Sequence, residues 1–159
     1  MNLSAAPVIR LDDLRGEPIR LLLEEHLSHM RSLSPPESVH ALDLDRLRRP
    51  EISFWTAWRG DELVGCGALK MLDARHGEIK SMRSAHAHRG TGVGRALLQY
   101  IVQEAQRREL ARLSLETGSQ PEFAPARQLY ASFGFEVCGP FADYTDDPNS
   151  VYMTRMLRA

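Results

Sequence analysis

The stretch of this sequence best suited to chemistry is Arg89-Gly90-Thr91-Gly92-Val93-Gly94-Arg95. Its glycines alternate, and without a Cβ each lets a ligand come close to the backbone. The residues that follow, Val93, Leu97, Leu98, Ile101, Val102 and Ala105, repeat at helical spacing, so the loop opens a helix. Unpaired N–H groups of a first helical turn bind anions. The loop therefore reads as a cradle for a diphosphate. It is not a dinucleotide fingerprint, because the position that needs the last glycine holds Arg95 counted from Gly90 and Leu97 counted from Gly92. It is not a Walker A loop either, because no Gly-Lys-Ser/Thr tripeptide occurs.

Such a loop needs a strand to deliver it and a helix to follow it. Glu78 to Ala85 has the pattern of that strand. Upstream, Val8 to Leu14 reads as a strand. Glu17 to Leu33 reads as a helix with the stripe Ile19, Leu22, Leu23, Leu27 and Met30, and Pro18 is tolerated in its first turn. Ser34-Pro35-Pro36 stops that helix, and His40 to Arg49 is a second, short one. Ile52 to Trp58 and Leu63 to Leu72 make an antiparallel pair across Gly60-Asp61. After the glycine loop and its helix come a strand at Leu113 to Thr117 and a helix at Phe123 to Phe133. Gly134 stands where a helix end wants a left-handed residue. Val137 to Phe141 and Val151 to Leu157 are the last strands, joined by an acidic loop from Ala142 to Ser150.

Two spacings then occur in order. The first is R-x-x-G-x-G, read as Arg89, Gly92 and Gly94. The second is A-x-x-L-Y-x-x-x-G-F, read as Ala126, Leu129, Tyr130, Gly134 and Phe135. Together they resemble the GNAT superfamily of acetyl-CoA-dependent N-acyltransferases, and the order of elements resembles that fold along essentially the whole chain. The resemblance implies one α/β (α+β) domain over residues 1–159. Its core would be a mixed, mostly antiparallel, twisted sheet of about seven strands flanked by about four helices.

What the resemblance implies for the site is specific. Backbone N–H groups of Arg89, Gly90, Thr91, Gly92, Val93, Gly94 and Arg95 would hold the diphosphate of acetyl-CoA. The strand edge at Met82, Arg83 and Ser84 would pair with the pantetheine arm and offer an N–H to the thioester carbonyl. Tyr130 matches the general acid that protonates the leaving thiolate; the alternative is a packed tyrosine that only orients the cofactor. The base is open between Glu78, Glu116, His76, His40 and water. One position departs from the family pattern: Phe123 stands where many relatives carry Asn, and its side chain cannot hydrogen-bond to the pantetheine amides. Backbone groups near Gly118 and Ser119 are candidates to replace that contact.

The acceptor site would be built from the variable parts. Its candidate residues are His40, Trp55, Asp143 and Tyr144, with Asp146 and Asp147 adding attraction for a cationic amine. Trp55 and Trp58 lie on opposite faces of a regular strand, so at most one lines the cleft. The function expected is transfer of acetyl from the CoA thioester to an amine of a small molecule or peptide. The rival is a GNAT-fold module that binds acyl-CoA and transfers nothing.

Composition narrows the partners. The chain has 159 residues and a formal net charge of -1, without the basic excess of a general nucleic-acid binder. No apolar run approaches the roughly 20 residues of a membrane span. Cys66 and Cys138 are far apart and form no CxxC, so reduced thiols and no metal are expected. A cytoplasmic enzyme, with a homodimer as a possible assembly, is the corresponding expectation.

Overall fold

Alternation along the strands divides the protein into two layers around one sheet. The computed structural model describes residues 6–36 and 44–157. The elements in chain order are β1 (Val8–Leu11), α1 (Glu17–Leu33), α2 (Leu44–Leu47), β2 (Ile52–Arg59), β3 (Glu62–Met71) and β4 (His76–Ser84). They continue with α3 (Val93–Arg107), β5 (Arg112–Gly118), α4 (Ala124–Ser132), β6 (Glu136–Cys138) and β7 (Ser150–Met156). The strands form a seven-stranded sheet in the order β1-β2-β3-β4-β5-β7-β6. Every neighbouring pair is antiparallel except β4 and β5. That parallel pair needs a crossover, which α3 supplies. The mixed, mostly antiparallel sheet and its four described helices are the architecture the sequence implies.

Neighbouring strand residues go to different layers. Phe54 and Ala68 join Leu14, Ile19, Leu22, Leu47 and Cys66 beneath α1 and α2. Trp55 and Leu69 join Leu98, Ile101, Leu113, Leu115, Tyr130, Phe135 and Met153 beneath α3 and α4. All six residues expected to form the α3 stripe are buried.

Several boundaries differ from the sequence reading, each for a local reason. β1 stops at Leu11 because Asp12 turns the chain: its Oδ1 accepts the Leu14 N–H (2.7 Å), and Leu14 takes φ 65°. β6 ends at Cys138, short of the expected Phe141, because Pro140 has no N–H for the ladder. Phe141 instead turns inward against Tyr152, with ring centroids 6.0 Å apart. Pro121–Phe123 forms a tight 3-10 turn, so α4 begins at Ala124. Of the expected second helix, only Leu44–Leu47 is helical among the described residues. Gly134 adopts φ 87°, which lets the Phe135 N–H reach back to Tyr130 O (3.2 Å) and close α4.

One irregularity matters most. The β3–β4 register shifts between Cys66 and Ala68, and opposite that shift Ser81 has φ 54°. This bulge resets the alternation of β4. Glu78 and Lys80 face the α1 layer, Met82 lies with Ile101 over Gly67, and Arg83 returns to the α1 layer, where it meets Glu25.

Candidate active site

The strand edge expected to take the pantetheine arm lies at a notch in the sheet. β4 and β5 pair only from His76–Arg112 to Ile79–Leu115. Beyond that, β4 runs on to Ser84 and β5 to Gly118 with no pairing between them. The backbone of Met82, Arg83 and Ser84 therefore has an edge with no strand against it on the β5 side. The end of the notch lies at the start of α3: a Cβ built on Gly94 would sit 3.7 Å from Ser84 Oγ and 3.4 Å from Leu129 of α4.

The glycine loop opens α3 as the sequence suggests, but its glycines serve different ends. Gly90 and Gly92 have φ 75° and 91°, a left-handed backbone that favours glycine, and a Cβ on either would meet nothing within 4 Å. Conformation, rather than crowding, explains those two. Gly92 caps α3 without a side-chain hydrogen bond. The first intrahelical bond runs from Ala96 N–H to Gly92 O (3.0 Å), so the N–H groups of Val93, Gly94 and Arg95 precede it. Arg89 and Arg95 are exposed beside them and add positive charge. Arg95 also lies over the Phe133 ring (5.3 Å).

A brace behind the loop was not legible in the sequence. Arg59, at the end of β2, donates to Thr91 Oγ1 and to Thr91 O (both 2.8 Å). It also lies 3.3 Å from Nδ1 of the buried His88, whose Nε2 meets Glu62 Oε2 (2.8 Å). These bonds hold the loop through Thr91. The expected cradle is corrected: the Arg89 N–H is turned back to His86 O (3.4 Å) and the Thr91 N–H to His88 O (3.3 Å), which leaves the anion to the N–H groups that open α3.

Tyr130 lies on the α3 side of the sheet, buried, with its ring edge-on to Phe135 at 6.0 Å. Its hydroxyl bonds to no described residue, and burial pushes its pKa up to about 12. It is protonated at neutral pH and has a proton to give.

On the opposite face Glu78, Lys80 and Tyr144 form a closed triangle. Tyr144 Oη donates to Glu78 Oε2 (2.6 Å), Lys80 Nζ donates to the same oxygen (3.1 Å), and Lys80 Nζ donates to Tyr144 Oη (2.7 Å). Glu78 and Lys80 are almost wholly buried, with side chains 3% and 9% exposed. Burial and the Glu78 carboxylate together raise the Tyr144 pKa far above the usual phenol value, so Tyr144 stays a donor. Both bonds to Glu78 fall on Oε2; Oε1 accepts none from a described residue. Lys80 was missed by the sequence reading, although its place two residues from Glu78 on one strand was the available signal. Glu116 lies on the same face, in register with Tyr152, and accepts a hydrogen bond from Ser150 Oγ (2.8 Å).

Other candidates separate. Trp55 is a correction: it is 3% exposed, packed edge-on to Tyr100 (5.7 Å) with Arg108 over its ring (5.9 Å), and belongs to the core under α3 rather than to an acceptor cleft. Asp143 is exposed on the loop while its neighbour Tyr144 turns inward. Asp147 uses Oδ1 on the Asn149 N–H (2.8 Å). His40 lies outside the described residues. His76 is tied at the paired end of β4, with Nε2 2.7 Å from Ser114 Oγ, and burial lowers its pKa. The backbone groups expected to replace the missing Asn contact are already engaged. Gly118 O accepts from Arg127 Nη1 (2.6 Å), and Ser119 N–H donates to Asn149 O (3.1 Å). The Phe123 ring lies so close over Gly118 that a Cβ there would clash with it. Among the described residues no cluster of His, Cys, Asp and Glu could hold a metal ion, both cysteines are free, and no helix is long and apolar enough to cross a membrane.

Known proteins share this fold and much of this sequence. The chain is 60% identical over 149 residues to the uncharacterized N-acetyltransferase YsnE of Bacillus subtilis, covering 94% of this chain and 99% of that protein. It is 40% identical over 137 residues to the IAA acetyltransferase of Azospirillum brasilense, covering 86% of this chain and 88% of that protein. The crystal structure of a GNAT acetyltransferase from Elizabethkingia anophelis with acetyl-CoA bound superposes with a TM-score of 0.67 at 17% identity, covering 96% of this chain and 99% of that one. Residues 19–135, which include both motifs and the notch, match the acetyltransferase (GNAT) family, and the chain belongs to that family of enzymes.

Proposed function

We propose that the protein transfers the acetyl group of acetyl-CoA to an amine of a small molecule or peptide, by direct attack within a ternary complex. One observation carries this reading: the β4–β5 pairing opens just past Glu78, which lies on the α1 face of the sheet, while Tyr130, whose hydroxyl bonds to no described residue, lies on the α3 face. An acyl group seated in the notch is then open to an amine from the Glu78 side and can release its thiolate toward Tyr130. The N–H groups of residues 93–95, with Arg89 and Arg95, hold the diphosphate, while Met82, Arg83 and Ser84 pair with the pantetheine arm. One of their N–H groups polarises the thioester carbonyl, a donor whose loss in other enzymes costs about 10²–10³ in rate.

The balance of the reaction is simple. A C–N bond forms and the C–S bond breaks. Glu78 takes the proton the amine must shed, and Tyr130 gives a proton to the departing sulfur, leaving an amide and the CoA thiol. Tyr144 and Lys80 hold the Glu78 carboxylate so that Oε1 is presented. The similarity to a named IAA acetyltransferase supports a small-molecule acceptor.

Acetyl-CoA is expected to raise the melting temperature, while NAD and ATP do much less. At 100 times its dissociation constant it adds about 2.7 kcal/mol of stability. Differential scanning fluorimetry checks this, and no shift at millimolar acetyl-CoA removes the cofactor from the proposal. CoA release across an amine panel then separates the enzyme from a module that only binds.

Gly94→Asp probes the cradle. A Cβ at Gly94 meets Leu129 and Ser84 only at contact distance, 3.4 and 3.7 Å, and a carboxylate in a first helical turn suits the helix dipole, so the fold is expected to survive. The same carboxylate repels the diphosphate. Calorimetry is expected to show at least tenfold weaker acetyl-CoA binding; unchanged affinity in the folded variant places the cradle elsewhere.

A further inference from the structure

The acceptor face carries a cation for which the transfer chemistry has no use. The bulge at Ser81 brings the Arg83 side chain to the face of Glu78 and Lys80, under α1. Arg83 is buried, at 9% exposure. Its Nη2 donates to Glu25 Oε1 (2.7 Å), and its Nη1 donates to His29 Nδ1 (2.9 Å). The remaining nitrogen, Nε, is buried and has no partner among the described residues. A buried guanidinium donor without an acceptor is destabilising and calls for an explanation, of which a bound ligand is one.

The surroundings favour an anion. His26 and His29 face Arg83 from α1. Burial first, and then Arg83 itself, hold both below the usual histidine range, His26 at about 4, so neither competes as a cation at neutral pH. The one countercharge paired with Arg83 among the described residues is Glu25, whose side chain is 43% exposed. An ion pair open to water on one side is weak and easily exchanged. Guanidinium groups take carboxylates through two parallel N–H groups, and Nε–H with a neighbouring Nη–H is such a pair. Glu25 reaches Nη2 alone. Arg83 thus keeps a buried Nε–H with no acceptor among the described residues beside a half-exposed, displaceable carboxylate, so a ligand that displaces Glu25 gains both N–H groups.

We propose that the acceptor is an amino-carboxylate, an amino acid or a close relative, whose carboxylate binds Arg83 while its amine faces the notch and Glu78. The proposal rests on the acyl-transfer reading and deepens it by naming the substrate class. It uses the Arg83 side chain, whereas the pantetheine contact uses the Arg83 backbone, so the two do not compete.

The test pairs each of several α- and ω-amino acids with its decarboxylated amine and its amide as acetyl acceptors. Wild type is expected to favour the carboxylate-bearing compound at least tenfold in kcat/KM, mainly through KM. Arg83→Met keeps the aliphatic stem and is expected to bring that ratio close to one. Glu25→Gln, at the exposed side of α1, is expected to lower KM for carboxylate-bearing acceptors several-fold by removing the negative charge that competes for Nη2. Equal use of the paired compounds by wild type, or an unchanged ratio in Arg83→Met, overturns the proposal. If Arg83→Met does not fold, Glu25→Gln decides, and an unchanged KM overturns it. If no amine is acetylated, the acyl-transfer reading fails separately. Carboxylate recognition is then judged on the melting temperature of the CoA-loaded protein. Amino acids raising it in wild type and not in Arg83→Met support the proposal; no rise in wild type overturns it.

Discussion

Tyr130→Phe is expected to lower kcat by about 10²-fold while leaving acetyl-CoA affinity almost unchanged. General acid–base groups contribute about 10²–10⁴-fold, and water replaces part of the loss. The ring stays packed on Phe135, and the deleted hydroxyl bonds to no described residue, so the variant loses a proton donor and little stability. The drop should grow for acyl donors whose leaving thiol has a higher pKa, because those thiolates need protonation most. Steady-state kinetics with a series of acyl thioesters, read with single-turnover rates to isolate the chemical step, checks both points. An unchanged single-turnover rate in a folded variant would make Tyr130 a packing residue.

Glu78→Gln is expected to cost about 10²-fold or more in kcat/KM at neutral pH, within the usual range for an acid–base group. An aliphatic amine, with a pKa near that of lysine, about 10.4, is nearly all protonated at pH 7 and must lose that proton to attack. The substituted amide keeps the shape and can still accept from Tyr144, but it takes no proton. The residual rate should therefore rise about tenfold per pH unit below the amine pKa, as the free amine becomes available by itself. Lys80 would be left as a buried cation, and breaking such a pair from one side costs about 3–5 kcal/mol. Glu78→Gln combined with Lys80→Met removes both charges and keeps the test if the single variant unfolds. A pH–rate profile for each variant provides the measurement; wild-type rates in a folded variant would move the base to Glu116 or to solvent.

Local rules made much of this protein readable. The α3 stripe, the turn at Gly60, the glycine loop and the close of α4 at Gly134 each follow from residues near one another in the chain, where periodicity and backbone freedom act directly. The resemblance of the two motifs to a known family supplied the strand order, which no periodicity contains. Acidic groups at 78 and 116 and the phenol at 130 were legible as candidates because their types and positions suit acyl transfer.

Tertiary structure decided what those residues touch. The bulge at Ser81 is a compromise between β4 and its neighbours, and it shifts every later side chain of that strand by one face. Without it Arg83 would not share a layer with Glu78. Tyr144 reaches Glu78 across 66 positions of sequence, and Lys80 completes the triangle only because the loop after β6 folds back over the sheet. Trp55 went to the core because the pleat aims it at α3, and large aromatic rings gain most by leaving water. The Arg59 and His88 brace joins β2 to the glycine loop across 32 positions from Arg59 to Thr91, too far for any local pattern to register. Short-range geometry and turn chemistry are written along the chain. Pairings between distant segments depend on packing free energies that only the assembled layers define.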